Sequence, residues 1–144
     1  MAATAVVAGL GASMLATPAI ASDRMAPTYT SQLISCSSGN FRGEAVVKFY
    51  SHELVQVSDY RIIKLNGQSG GSKANVNTTI WGESLSGYYS SFSKDSPDAM
   101  KQDGVWRPLG HSAFRKLNSW LDVEVQFIFD KSGSDPRCTA STGY

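Results

Sequence analysis

The chain has 144 residues, with 13 basic and 12 acidic side chains and a formal net charge of +1. This near-neutral balance lacks the dense cationic surface that nucleic-acid binding requires, so no nucleic-acid partner is expected. After residue 21 no apolar run is long enough to span a bilayer, which predicts no transmembrane segment in the mature protein.

The N-terminal stretch 2–21 contains no Asp, Glu, Lys or Arg and ends in Ala19-Ile20-Ala21. Small residues in this pattern suit the pocket of a signal peptidase, although the usual positive charge at the start is missing. Glycines and a proline dilute the stretch, which argues against a membrane anchor. We therefore predict a cleaved secretory signal peptide over 1–21, a single β domain over 22–144, and a secreted, extracellular protein.

The two cysteines, Cys36 and Cys138, predict one disulfide, because an even count in an exported chain usually forms bridges. The bridge would close a loop of 138 − 36 = 102 residues. In the chain-entropy model this contributes on the order of 4 to 5 kcal/mol. No C-x-x-C pattern, Cys/His cluster or EF-hand spacing of aspartates is present, so no metal or cofactor is predicted.

Period-two alternation of apolar and polar residues dominates the chain and predicts strands. The clearest case is 122–130, where Val123, Val125, Phe127 and Phe129 share one face. The same kind of pattern predicts further strands at 28–37, 44–50, 54–65, 74–82 and 137–142. The phase changes at Ser58-Asp59, which predicts a bulge or a break there.

Turns rich in Gly, Ser and Asn separate these strands, so the predicted fold is all-β. It is an antiparallel β-sandwich or small barrel of about six to eight strands. The exception is 93–119, where Ser96 suits an N-cap and Pro97 the first helical position. We predict one short helix near 97–102. The remainder of this segment is irregular, and it is either functional or a crossover between two sheets.

Catalytic patterns are incomplete. GHSAF, residues 110–114, begins like a G-x-S-x-G elbow, but Phe replaces the last Gly and no histidine follows the serine. His52 and His111 match no serine, cysteine or metal pattern, and we interpret both as partly exposed loop histidines. Glu124 and other glutamates offer carboxylates for glycoside hydrolysis, but so small a domain leaves little material for a cleft. The protein is predicted not to be an enzyme, and a small hydrolase ranks last.

The stretch SGYYSSFSK, residues 86–94, contains three aromatic rings in nine residues. If it forms a strand, Tyr88 and Phe92 face the core and Tyr89 lies on a serine-flanked outer face. Trp120 leads directly into a strong strand and is expected to be a core anchor.

A second source of aromatic residues is the segment from 104 to 121, which contains no acid and interleaves cations with rings. Such side chains stack on sugars or aromatic partners, and tyrosine is a common anchor at interfaces. The predicted ligand-binding residues are Trp81, Tyr89, Trp106, Arg107 and His111.

The leading functional prediction is a secreted, non-enzymatic binding protein whose ligand is a glycan, the cell wall or envelope, or a protein. The alternative is a secreted inhibitor or toxin-like effector that acts on a protein through the 93–119 loop. A binding protein is expected to show exposed aromatic side chains without a cleft. An inhibitor is expected to show a protruding loop, and a hydrolase is expected to show convergent polar groups in a pocket. Asn77-Thr78-Thr79 also matches the N-glycosylation pattern, which applies only in a eukaryotic secretory pathway.

Overall fold

The computed structural model describes residues 27–144, and the signal peptide predicted over 1–21 lies outside this range. The described chain forms eight strands in two antiparallel sheets, which confirms the predicted fold class. The strands are β1 (Tyr29–Ser38), β2 (Phe41–Tyr50), β3 (Leu54–Lys64), β4 (Asn75–Glu83), β5 (Tyr89–Lys94), β6 (Arg107–Phe114), β7 (Leu121–Ile128) and β8 (Arg137–Gly143).

The two sheets have four strands each. Sheet 1 has the order β1-β2-β3-β6, and sheet 2 has the order β5-β4-β7-β8. The chain crosses between the sheets after β3, after β5 and after β6, so neither sheet is built from one continuous segment. This arrangement brings β4 and β7, which lie far apart in sequence, side by side in the middle of sheet 2.

The core lies between the sheets and consists of the apolar residues of the alternating patterns in the sequence. In β7, Leu121, Val123, Val125 and Phe127 are buried, while the residues between them are half-buried on the outer face. The sheets pack closely at Gly43 of β2. A Cβ atom added there would lie 2.3 Å from the Phe127 ring, so glycine is required for this packing.

A bulge interrupts β3 where the sequence predicts one. In the β2–β3 pairing, Val46 opposes Asp59 and Val47 opposes Val57, which leaves Ser58 as the extra residue. The predicted irregularity at Ser58-Asp59 is thereby confirmed. The β3–β6 pairing shifts at the same level, and Gly110 takes a φ of 68° that glycine accommodates without strain.

The predicted disulfide joins Cys36 of β1 to Cys138 of β8, with the two Cα atoms 5.9 Å apart. These strands are the edge strands of different sheets, so the bond ties the sheets together along one side. The Thr142 hydroxyl donates a hydrogen bond to the Gln32 side-chain oxygen and adds a polar link between the same two strands.

Residues 95–106, named the strap, cross from β5 to β6. Residues 27–144 contain no helix, so the helix predicted near 97–102 is wrong, and none is present there that could cross a membrane. Three of the strap's backbone N–H groups bond to the sandwich, while the Ala99 N–H donates to Pro97 O within the strap. The donors and acceptors of the three bonds to the sandwich are Met100 N to Ala74 O, Lys101 N to Tyr60 Oη, and Gly104 N to Ile62 O.

Two buried polar side chains hold the strap in place. Ser96 does not cap a helix, because its hydroxyl accepts a hydrogen bond from the Val76 N–H at 2.8 Å. The Gln102 amide donates to Gly71 O and Asp130 O and accepts from Asp130 N. Residues 95–106 are therefore a crossover between the two sheets, and residues 107–114, which the sequence predicted to be irregular, form strand β6.

Candidate ligand-binding face

The candidate site is the outer face of sheet 2, which carries exposed aromatic side chains from separate parts of the chain. Trp81 of β4 lies between Ser91 of β5 and Asp122 of β7. The next outward residue along β4, Glu83, pairs with Tyr89 of β5. Same-face neighbours on adjacent strands have Cβ atoms about 5 Å apart, so these side chains form one continuous surface.

Trp120 completes this surface from the other side. It immediately precedes Leu121, which is buried and pairs with Gly82, so alternation places the Trp120 side chain outside, beside Glu83. Trp81, Tyr89 and Trp120 are 41%, 63% and 60% exposed. We name these three residues the aromatic row.

Two polar contacts fix the aromatic row at its edge. The Tyr89 hydroxyl lies 2.6 Å from Ser119 Oγ, and Lys116 Nζ lies 2.6 Å from Glu83 Oε1. The hydrogen bond from Lys116 lowers the pKa of Glu83, and the same contact raises the pKa of Lys116. Together the two contacts tie the loop that carries Trp120 to the β4–β5 hairpin.

A polar pocket adjoins the aromatic row on the same face. Thr79 lies two residues from Trp81 along β4, which corresponds to about 7 Å. The pocket has a volume of about 220 Å³, smaller than the roughly 300–1,000 Å³ of most small-molecule sites. Its lining residues are Asn77, Thr79, Ser93, Asp95, Glu124, Gln126 and Thr139.

The chemistry of this pocket is that of hydroxyls, amides and carboxylates. Amides and hydroxyls both donate and accept hydrogen bonds, while carboxylates accept only, so the set can satisfy ligand hydroxyls in either sense. Asp95 and Glu124 contribute the two carboxylates, and Glu124 extends from the middle of β7. The face therefore combines flat apolar rings with hydrogen-bonding groups about 7 Å away.

Trp106 does not belong to this face. It lies on the side of sheet 1, where the Arg61 guanidinium stacks on its ring at 4.7 Å from the centroid. Arg61 also forms an ion pair with Glu44, at 2.5 Å between Nε and Oε2. The grouping of Trp81, Tyr89 and Trp106 that the sequence suggested is thus divided between opposite sides of the sandwich.

Arg107 is also engaged within the protein. Its guanidinium pairs with Asp103 of the strap, and this hydrogen bond is the main cause of the lowered pKa of Asp103. Arg107 therefore fastens the strap to the start of β6 instead of extending towards a ligand on the outer face of sheet 2.

His111 lies inside the sandwich and not in a loop. It is 3% exposed, and its Nδ1 lies 3.0 Å from the Thr78 hydroxyl on the opposite sheet. Burial, with a smaller effect of Lys94, lowers the pKa of His111 to about 4. The expectation of a partly exposed loop histidine is wrong for His111, and its burial excludes direct ligand contact. His52, by contrast, is exposed in the turn between β2 and β3.

Two aromatic residues lie opposite to where the sequence placed them. Tyr88 precedes β5 and is exposed, so it forms no core pair with Phe92, which alone packs against the core. Trp120 is exposed and is not a core anchor. A signal for Trp120 was present, because it shares the period-two phase of Asp122 and Glu124 on the polar face.

Comparisons with known protein families, curated proteins and solved structures found no match for this chain. Among residues 27–144, no group of three or more His, Cys, Asp or Glu side chains is placed to hold a metal ion. The residues of the outer face of sheet 2 therefore carry the functional inference.

Proposed function

We propose that the protein is a secreted, non-enzymatic binding protein that holds a glycan on the outer face of sheet 2. The observation that carries the proposal is the aromatic row, three exposed rings from two distant chain segments, next to the polar pocket. Exposed aromatic side chains at a shared surface are unusual for packing alone, and they are the side chains that most often dominate binding energy.

The physical match to a sugar polymer is specific. A pyranose ring has an apolar face that stacks on tryptophan or tyrosine, and its edge carries hydroxyls that need donors and acceptors. Trp81 supplies a ring in the middle of the face, and Thr79 and Glu124 supply polar atoms in the next row along the strands. A rigid sheet loses little conformational entropy on binding, which favours affinity at a shallow site.

The other two functions receive less support from the geometry. An inhibitor loop needs to protrude, whereas the strap directs its backbone and the Gln102 side chain to the sandwich. A hydrolase needs an enclosing cleft, whereas the pocket has a volume of only about 220 Å³. The Cys36–Cys138 bond supports an oxidising compartment, in agreement with the proposed location outside the cell.

The test is a titration of the purified, oxidised protein with soluble polysaccharides and cell-wall fragments, monitored by tryptophan fluorescence and acrylamide quenching. Trp106→Phe serves as the starting protein, because it removes the fluorescence of the tryptophan on sheet 1 and leaves those of Trp81 and Trp120. We expect a saturable shift with reduced quenching for at least one glycan. Trp81→Ala and Tyr89→Ala are each expected to weaken the affinity for that glycan by about tenfold or more.

Two results would contradict this proposal. One is the absence of a saturable shift with every glycan of the panel. The other is a glycan affinity, measured by calorimetric titration, that is unchanged in the Trp81→Ala, Trp120→Ala double variant. New reducing ends in the reaction mixture would show hydrolysis, and they would overturn the non-enzymatic part of the proposal if Glu124→Gln abolished them.

A further inference from the structure

The outer face of sheet 2 carries an excess of negative charge. Four of its carboxylates come from Glu83, Asp95, Asp122 and Glu124. Glu83 is paired with Lys116, but within residues 27–144 the other three have no Lys, Arg or His nitrogen within ion-pairing distance. Asp122 flanks Trp81 directly, so unpaired charge extends from the pocket to the aromatic row.

The cross-strand neighbours of Asp122 and Glu124 are neutral. Across the strands, Glu124 opposes Thr79 on one side and Ser141 on the other. The basic residues of sheet 2 lie elsewhere. Arg137 pairs with Ile128, four residues and about 13 Å along β7 from Glu124. Lys94 pairs with Thr78, an inward-facing position.

Sheet 1 shows that the fold can neutralise carboxylates on an outer face. There, Glu44 lies between two arginines, at 2.8 Å from Arg42 Nε and 2.5 Å from Arg61 Nε. Glu44 is almost fully covered by these partners. Because the unpaired carboxylates of sheet 2 lack such partners, they are available to pair with positively charged groups of a ligand.

From this charge distribution, and resting on the proposed function, we infer that the preferred glycan carries free amino groups, as a polymer of deacetylated hexosamine does. Its rings stack on the aromatic row, and its ammonium groups donate charge-assisted hydrogen bonds to Asp122 and Glu124. The same carboxylates repel acidic glycans such as polyuronates. An acetylated amino sugar retains the stacking but loses the ion pair.

The experiment compares oligomers of one length against the Trp106→Phe protein. The probes are a glucosamine oligomer with free amines, its N-acetylated form, an oligogalacturonate and oligolysine. We expect the free-amine oligomer to bind about tenfold more tightly than the acetylated one, and the oligogalacturonate to bind most weakly. Added salt is expected to reduce the preference, because the charges are at a solvated surface.

The variants assign the preference to named side chains. Glu124→Gln and Asp122→Asn keep side-chain shape and are expected to lower the affinity for the free-amine oligomer while leaving that for the acetylated oligomer unchanged. Asp98→Asn is the matched control, since Asp98 is an exposed carboxylate in the strap that does not line the pocket. It is expected to change neither affinity. Urea unfolding of each variant verifies that the fold is retained.

The failures are distinguishable. Equal affinities for the free-amine and acetylated oligomers overturn the amino-sugar inference and leave the proposed function standing. Oligolysine that binds as tightly as the free-amine oligomer, with no loss in Trp81→Ala, indicates simple attraction of polycations and also overturns the inference. If no sugar oligomer binds, both the inference and the proposed function are refuted.

Discussion

The five residues that the sequence assigned to ligand binding fall into two groups that differ in how their polar and aromatic atoms are used. Trp106, Arg107 and His111 contact Arg61, Asp103 and Thr78 inside the molecule. Trp81 and Tyr89 extend from the outer face of sheet 2, where they are 41% and 63% exposed. Each residue of the first group has a partner for its ring or charged group within residues 27–144, while in the second group only the Tyr89 hydroxyl has one there, in Ser119.

This difference separates stability from recognition. A side chain whose partners are all intramolecular contributes to the free energy of unfolding, and its removal leaves a partner unsatisfied. An aromatic ring that remains exposed contributes little to stability and is available to a ligand. The two groups therefore predict opposite results when binding and unfolding are measured on the same variants.

The largest expected effect is a loss of free energy of unfolding at low pH that is caused by His111. Its pKa is lowered to about 4 in the folded protein, so it stays neutral while the unfolded chain binds a proton below pH 6.5. Stability contributed by the neutral form is therefore lost as pH falls from 6.5 towards 4, and the loss approaches about 3 kcal/mol. Urea unfolding at pH 7 and pH 4.5 measures it.

His111→Gln keeps a hydrogen-bonding group near Thr78 but does not titrate, so its stability is expected to depend less on pH than that of the wild type. His52→Gln is the matched control, because His52 is exposed in a turn, and it is expected to retain the full pH dependence. Identical pH profiles for wild type and His111→Gln would show that His111 is not the group responsible.

The second effect concerns binding by the aromatic row. Trp120→Ala removes a ring that is 60% exposed, and we expect about a tenfold loss of glycan affinity with a stability change within about 0.5 kcal/mol. Phe114→Ala is the control, because Phe114 is an aromatic residue with similar exposure on sheet 1. Equal effects of the two variants on glycan affinity would remove the distinction between the two sheets.

The third effect is a loss of stability without a loss of glycan affinity, the reverse of what is expected for Trp120→Ala. Trp106→Ala loses the stacking on Arg61 and is expected to lower the free energy of unfolding by about 1 kcal/mol. Glycan affinity is expected to stay unchanged, since the ring lies on sheet 1. Parallel denaturation and titration measure both quantities. A clear loss of glycan affinity in Trp106→Ala would show that Trp106 belongs to the binding surface.

The smallest effect concerns the orientation of Tyr89. Tyr89→Phe keeps the ring but removes the hydrogen bond to Ser119, which we expect to cost about 0.5 kcal/mol, or roughly twofold in affinity. Ser119→Ala removes the same bond from the other side and is expected to match it. Calorimetric titration of both variants checks the agreement, and a loss as large as that of Tyr89→Ala would assign the binding to the hydroxyl instead of the ring.

Six of the eight strands, the bulge at Ser58-Asp59 and the Cys36–Cys138 pair could be predicted from the sequence, whereas β5 was only conditional and β6 lay in a segment predicted to be irregular. Alternation is a local property, because successive side chains of a strand point to opposite faces, and the buried side of β7 follows from it directly. With two cysteines only one intramolecular pairing exists. The exposure of Tyr89 follows from the same local rule.

What only the tertiary structure decided is which segments become neighbours and where the strap finds its hydrogen-bond partners. Ser96 and Pro97 favour a helix locally, but Val76 and Ala74 of the sandwich compete successfully for the strap's polar groups. Trp81 and Trp120 share the outer face of sheet 2 because β4 and β7 pair across a crossover. Strand pairing across sheets depends on the packing of the whole core, which no short stretch of sequence encodes.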